Sequence, residues 1–220
     1  MTDNNTTFQV FTDFDGTVAL NDVGDKFFER FIGPDWIIAN ENYKAGKITS
    51  KLYLIEQCQL ARVTRQQMTE FSDEQQIDPH FQYLVDFCRN KNYPITVLSD
   101  GLDFYIQRIL DNFGLSDLAI RSNHVKFLDG NRIAVEFPYF EYGCQACANC
   151  KGYHIRNIPG NGTRTVQIGD GLSDRCGAVE ADFIFAKNDL VEFCKKHDLS
   201  YFEYSNFNDI LLKLKTLDTE

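Results

Sequence analysis

"TDFDGTV" (residues 12–18) decides the fold, because it closes the chain's first apolar run, "FQVFTD" (8–13), with two carboxylates and a glycine. A β-prone run ending in an acidic turn marks a short strand that opens into a loop at its carboxyl end. Asp13 and Asp15 are two positions apart, which puts their side chains on the same side of an extended chain. Neighbouring carboxylates repel unless one is protonated or a cation neutralises them. The pair suits a hard divalent ion such as Mg2+, although an acidic strand-end turn reads the same way.

Working outward, "PITVLS" (94–99) and "TVQIGD" (165–170) repeat the form, and "DFIFAK" (182–187) is a fourth apolar run. Runs without alternation suit strands buried on both faces. Helical spacing fills the gaps at 79–91, 102–114, 188–197 and 207–217. Strands alternating with helices predict an α/β fold with a Rossmann-like, doubly wound parallel sheet. Residues 20–77 read as helices only, and we expect them to form a helical cap over the strand ends. The core would then be residues 1–19 and 78–220. Residues 122–142 alternate like a small β-hairpin excursion, turning at Asp129-Gly130-Asn131.

Composition narrows the function. The 220 residues carry a net charge of −10 and have no basic block, which argues against a nucleic-acid surface. No apolar run approaches the ~20 residues of a membrane span, and "MTDNNTTFQVF" does not read as a signal peptide. The expectation is a cytoplasmic protein without a membrane or nucleic-acid partner; its oligomeric state is not legible. Cys58, Cys88 and Cys194 fall on apolar helical faces and read as small buried hydrophobes.

The other strand ends add chemistry. "LSDG" (98–101) offers the Ser99 hydroxyl and backbone amides at a helix start, a ready anion site. "IGDGLSD" (168–174) brings Asp170 and Asp174, flanked by Gly169 and Gly171. Carboxylates for a metal and donors for a phosphate converge there and lack a side-chain cation. Lys151, in "GCQACANCKG" (143–152), can supply it.

The set Asp13-Phe14-Asp15-Gly16-Thr17, Ser99, Lys151 and Gly169-Asp170-Gly171-x-x-Asp174 resembles the four-motif signature of the haloacid dehalogenase superfamily. A cap after the first motif resembles the branch containing phosphoserine phosphatase. "CQACANCKG" and the tail from Ile168 look similar to bacterial methionine-salvage phosphatases, which act on 2-hydroxy-3-keto-5-methylthiopentenyl-1-phosphate. A cysteine before the motif lysine also resembles the phosphoethanolamine and phosphocholine phosphatases.

These resemblances imply a Mg2+-dependent phosphomonoesterase acting on a small phosphorylated metabolite. Asp13 would be the nucleophile and Asp15 the general acid and base. Asp13, Asp15 (through its carbonyl) and Asp170 would hold the metal, with Asp174 supporting it or Lys151. Ser99, Lys151 and the amides near Phe14, Gly16 and Gly101 would bind phosphoryl oxygens. A phosphotransferase using the same aspartyl phosphate, or a zinc-stabilised binding module without catalysis, are the alternatives.

Specificity would sit in the cap. Asp22 is placed for substrate recognition or cap closure. Glu56 stands where phosphoserine phosphatases carry an arginine, with Arg62 as the shifted candidate. Asp100 departs from the glycine common at that place in relatives. Cys144, Cys147 and Cys150 offer three ligands for a structural Zn2+, with His154 or Cys176 as a fourth. A reduced thiol-rich loop or a disulfide would use the same residues.

Overall fold

The computed structural model describes residues 7–158 and 162–218. Residues 1–6, on which the expectations about the N-terminus and the start of the core partly rest, lie outside the described residues. Seven strands form one sheet: β1 (Thr7–Thr12), β2 (Ile95–Leu102), β3 (Ala119–Leu128), β4 (Arg132–Glu136), β5 (Thr163–Gly169), β6 (Phe183–Ala186) and β7 (Phe202–Glu203). Their spatial order is β4-β3-β2-β1-β5-β6-β7, and every pair is parallel except β3 with β4.

The expected runs at 8–13, 94–99, 165–170 and 182–187 correspond to β1, β2, β5 and β6. Val10, Val97, Val166 and Ile168 on them are fully buried, as two-sided coverage of a parallel sheet requires. β1 lies between β2 and β5, where the winding direction reverses. Ligands bind at the carboxyl ends of strands at such a switch point. The three motif-bearing strand ends are thereby brought together.

The expected hairpin is present, and its first strand starts three residues earlier than the sequence suggests. The turn falls at 129–131, with Gly130 and Asn131 at positive φ, but the first strand begins at Ala119 and pairs in parallel with β2. The hairpin arm, His124–Leu128 against Arg132–Glu136, thus runs on beyond the stretch of β3 that pairs with β2, as a small excursion from the edge of the sheet.

Four helices follow β1: α1 (Val23–Ile32), α2 (Trp36–Lys44), α3 (Ser50–Leu60) and α4 (Arg65–Asp73). Asp22, Thr49 and Thr64 each accept a hydrogen bond from the first turn of the helix that they cap. Phe27, Phe28 and Phe71 are buried among them, and the Phe27 and Phe71 rings meet edge to face at 5.6 Å. Arg65 lies 4.4 Å from the Phe127 ring centroid, and Val63 N donates to Asn131 O at 2.7 Å. The helical segment therefore leans on the hairpin edge of the sheet.

The sheet is covered by α5 (Phe81–Lys91), α6 (Asp103–Asn112), α7 (Lys151–Arg156), α8 (Arg175–Glu180), α9 (Asn188–Lys196) and α10 (Phe207–Leu217). Cys58, Cys88 and Cys194 are buried, as their helical positions predict. Among the described residues, no helix is long and apolar enough to cross a membrane.

Candidate active site

Asp13 follows β1 directly, and Lys151 is the first residue of α7. Lys151 is fully buried, with Nζ 2.6 Å from Asp13 Oδ1 and 2.7 Å from Asp174 Oδ1. Burial works against its charge, but the two carboxylates hold its pKa above the ordinary lysine value. Asp174 is fully engaged. Its Oδ1 also accepts from Gln167 Nε2 at 2.9 Å, and its Oδ2 accepts from the Asp170 and Gly171 amides at 3.0 and 3.1 Å. Gly169 is required by this packing, since a Cβ there would lie 2.2 Å from Asp174 Cγ.

Asp13, Asp170 and Asp174 each bring a carboxylate oxygen within 4.8 Å of the others. Three carboxylates face one ammonium, which leaves an excess of two negative charges. Burial first, and then Asp174, pushes the Asp13 pKa well above the usual carboxylate range. Burial and Asp174 push Asp170 up to about 6. A divalent cation is the charge that would relieve this crowding. Four short hydrogen bonds and ion pairs saturate Asp174, whereas Asp170 accepts only long contacts, from Thr17 Oγ1 at 3.4 Å and Asn188 Nδ2 at 3.3 Å. Asp13 and Asp170 thus fit a hard, oxygen-seeking ion such as Mg2+, and Asp174 supports them.

Asp15 points elsewhere. Its Oδ1 accepts from the Val23 and Gly24 amides, both at 3.1 Å, at the start of α1. Its Oδ2 accepts from Ser99 Oγ and Tyr105 Oη, both at 3.2 Å. Burial raises the Asp15 pKa in spite of these donors. Tyr105 was not anticipated from the sequence, where it is one of several aromatics on a helical face. The signal for it is Gly101: a Cβ there would lie 1.9 Å from Tyr105 Oη and 2.8 Å from Asp15 Oδ2.

Two expected phosphate donors are already spent. The Gly16 amide donates to Asn21 O at 2.9 Å and closes the loop after β1. The Gly101 amide donates to Ser99 Oγ at 2.9 Å, because the turn after Ser99 folds back on its hydroxyl. Gly16 matters instead for its positive φ of 69° and for the 2.7 Å that would separate a Cβ there from Asp170 Oδ2.

Above these groups is a pocket of about 340 Å3. Asp13, Asp15 and Asp170 line its floor, and Asp22, Phe28, Tyr43, Lys44 and Tyr53 line its helical side. The Tyr43 and Tyr53 rings stack at 5.1 Å. Asp25 gathers Asn40, Lys44 and Tyr53 at 3.1, 3.3 and 3.2 Å. Asp22 lines the pocket, is exposed to solvent, and has the Asp15 and Asp25 carboxylates beside it. Neither Glu56 nor Arg62 is among the residues lining the pocket. Arg62 is exposed and donates to the carbonyls of Gln59, Leu60 and Ala61 at the end of α3. The free carbonyls of a helix end draw the guanidinium there.

The cysteine loop is attached to the site. Asp100 accepts from Ser50 Oγ at 2.5 Å and from the Asn149 amide at 2.6 Å. Asn149 Nδ2 donates to Ser99 O at 2.9 Å and to Arg121 O at 2.8 Å. The departure at Asp100 therefore joins α3, the cysteine loop and the end of β2. Cys144, Cys147 and Cys150 meet Cys176, their sulfurs all within 4.8 Å of one another. His154 is not a member, since its Nε2 lies 2.7 Å from Asn149 Oδ1.

The sequence matches the haloacid dehalogenase-like hydrolase family over residues 10–178. The chain belongs to that family, on its phosphatase side, which sets aside the reading as a binding module. It is 29% identical over 219 residues to the 2-hydroxy-3-keto-5-methylthiopentenyl-1-phosphate phosphatase of Brevibacillus brevis, covering 96% of each chain. It is 30% identical over 220 residues to the phosphatase of the same name from Exiguobacterium sibiricum, covering 96% of this chain and 98% of that one. Its fold resembles a solved phosphoserine phosphatase in a phospho-aspartyl intermediate analogue form. The TM-score is 0.71 at 18% identity, over 95% of this chain and 99% of the other.

Proposed function

We propose that the chain is a Mg2+-dependent phosphomonoesterase that works through an aspartyl phosphate, with residues 20–77 acting as its cap. The observation that carries this reading is Asp13 on the pocket floor, backed by the buried Lys151–Asp174 pair. Asp13 Oδ attacks phosphorus, forming a P–O bond as the bond to the leaving alcohol breaks. Asp15, beside Ser99 and Tyr105, gives a proton to the leaving oxygen. Asp15 then takes a proton from water, which attacks phosphorus and releases phosphate and free Asp13. Lys151, Ser99 and the Phe14 amide hold the phosphoryl oxygens, with Ser99 exchanging its bond to Asp15 for one of them. Mg2+ bound by Asp13 and Asp170 would neutralise charge on those oxygens.

For the substrate, we propose 2-hydroxy-3-keto-5-methylthiopentenyl-1-phosphate. The named relatives support it, and so does the pocket wall. Phe28, Tyr43 and Tyr53 suit an uncharged, apolar tail, and no arginine is among the described lining residues to pair with a substrate carboxylate. A cytoplasmic setting fits seven unbonded cysteines, since cytosolic thiols stay reduced. A panel of phosphorylated metabolites with Mg2+ tests the reading. We expect the methionine-salvage intermediate to give the highest kcat/KM, with phosphoserine and phosphocholine at least tenfold lower. Preference for phosphoserine would overturn the substrate assignment, and a wholly inert panel would overturn the phosphatase.

A further inference from the structure

We propose that Cys144, Cys147, Cys150 and Cys176 form a tetrahedral structural zinc site that fixes the positions of Lys151 and Asp174. The four sulfurs lie within 4.8 Å of one another. Cys147 Sγ is 3.8 Å and Cys144 Sγ 3.9 Å from Cys176 Sγ. Zn–S bonds of about 2.3 Å in a tetrahedron put neighbouring sulfurs about 3.8 Å apart. The spacing therefore matches a metal's coordination edge and is nearly twice the ~2.05 Å of a disulfide bond.

The surrounding chain is shaped for this cluster. The Cys147 amide donates to Cys144 Sγ at 3.5 Å, the kind of contact that a thiolate accepts. Gln145 adopts a positive φ of 60°, turning the loop tightly between its first two cysteines. Gly143 leaves room for Cys150, whose Cβ would lie 2.5 Å from a Cβ at 143. Gly152 lets α7 approach α8, since a Cβ there would meet Cys176 O at 2.6 Å. Arg175, and Arg156 paired with Glu180, line the same surface recess as Cys144, Cys150 and Cys176. Cys144 is exposed while Cys150 is buried, which gives a metal an entry path.

The positions of these cysteines give the site its role. Cys150 immediately precedes Lys151, and Cys176 follows Asp174 by two residues. Zinc would join the start of α7 to the start of α8, and so hold both ends of the 2.7 Å Lys151–Asp174 pair. This consequence rests on the phosphatase reading, but the metal site does not.

The test uses full-length protein prepared without chelators and without a metal-affinity tag. Elemental analysis should find about one zinc per chain. An organomercurial that caps thiols should release that zinc to a chromophoric chelator, whereas zinc held only by Asp13 and Asp170 would not respond. The Cys144→Ser/Cys176→Ser variant should lose the zinc and at least tenfold in kcat, with KM nearly unchanged. If the variant fails to fold, the mercurial release from the parent protein still decides. Absence of zinc, iron in its place, zinc insensitive to the mercurial, or a disulfide among these cysteines would overturn the proposal.

Discussion

Lys151 Nζ lies 2.6 Å from Asp13 Oδ1; the lysine is fully buried, and the aspartate is buried except where it meets the pocket floor. A buried ion pair of this kind is held only because its partners are paired. Removing one of them leaves the other charge desolvated, at a cost of about 3–5 kcal/mol. The lysine would also lie beside the oxygens of the phosphoryl group whose phosphorus Asp13 attacks.

Lys151→Met should therefore be both inactive and less stable. We expect kcat to fall at least 10³-fold and unfolding free energy to drop by about 3 kcal/mol, measured by steady-state kinetics and urea denaturation. Retention of parental activity would remove Lys151 from the site.

Gly101→Ala should cripple the enzyme without unfolding it, because the new methyl would meet Tyr105 Oη and Asp15 Oδ2. A fall of about 100-fold in kcat is expected, as for a misplaced catalytic group. Adding Tyr105→Phe should recover part of it by removing the closest atom. If Gly101→Ala keeps the parental kcat, Asp15 does not need this packing.

Asp100→Ala breaks the links from Ser50 and Asn149. Each is a hydrogen bond to a charged group, worth about 1.5–3 kcal/mol, but burial of Asp100 offsets part of that. A net loss of about 2 kcal/mol is expected in denaturant unfolding, together with weaker coupling of α3 to the site and a raised KM. An unchanged KM would detach Asp100 from substrate binding.

His154 makes a pH prediction. Burial first, and then Arg121, lowers its pKa to about 4. A depressed histidine pKa means that the unfolded chain binds the proton more readily than the folded one. The stability contributed is present above about pH 6.5 and is lost as pH falls from 6.5 toward 4. The parent protein should lose about 2 kcal/mol more than His154→Gln across that window, measured by denaturant unfolding at each pH. Parallel profiles would contradict the assignment.

Much of the site was legible because each strand end carries its own local signal. Asp13, Asp15, Ser99 and Asp170 sit where short apolar runs stop, and the doubly wound order brings those ends together. What was not legible depends on contacts between distant segments. Cys176 carries no mark that sets it apart from His154 as a fourth partner, and only the packing of α7 on α8 selects it. Asn149 and Tyr105 gain their roles from hydrogen bonds to residues 50 and 90 positions away. The engagement of Arg62 with the carbonyls that end α3 was likewise not readable from its position in the sequence.

The central claim is that Asp13 carries the phosphoryl group during turnover. Protein quenched in acid during steady-state hydrolysis with Mg2+ should show a hydroxylamine-sensitive adduct of one phosphoryl mass, mapped by peptide mass spectrometry to Asp13. Asp13→Asn should form no adduct and hydrolyse no substrate while keeping the parental fold. An adduct at another residue, or parental turnover by Asp13→Asn, would contradict the account.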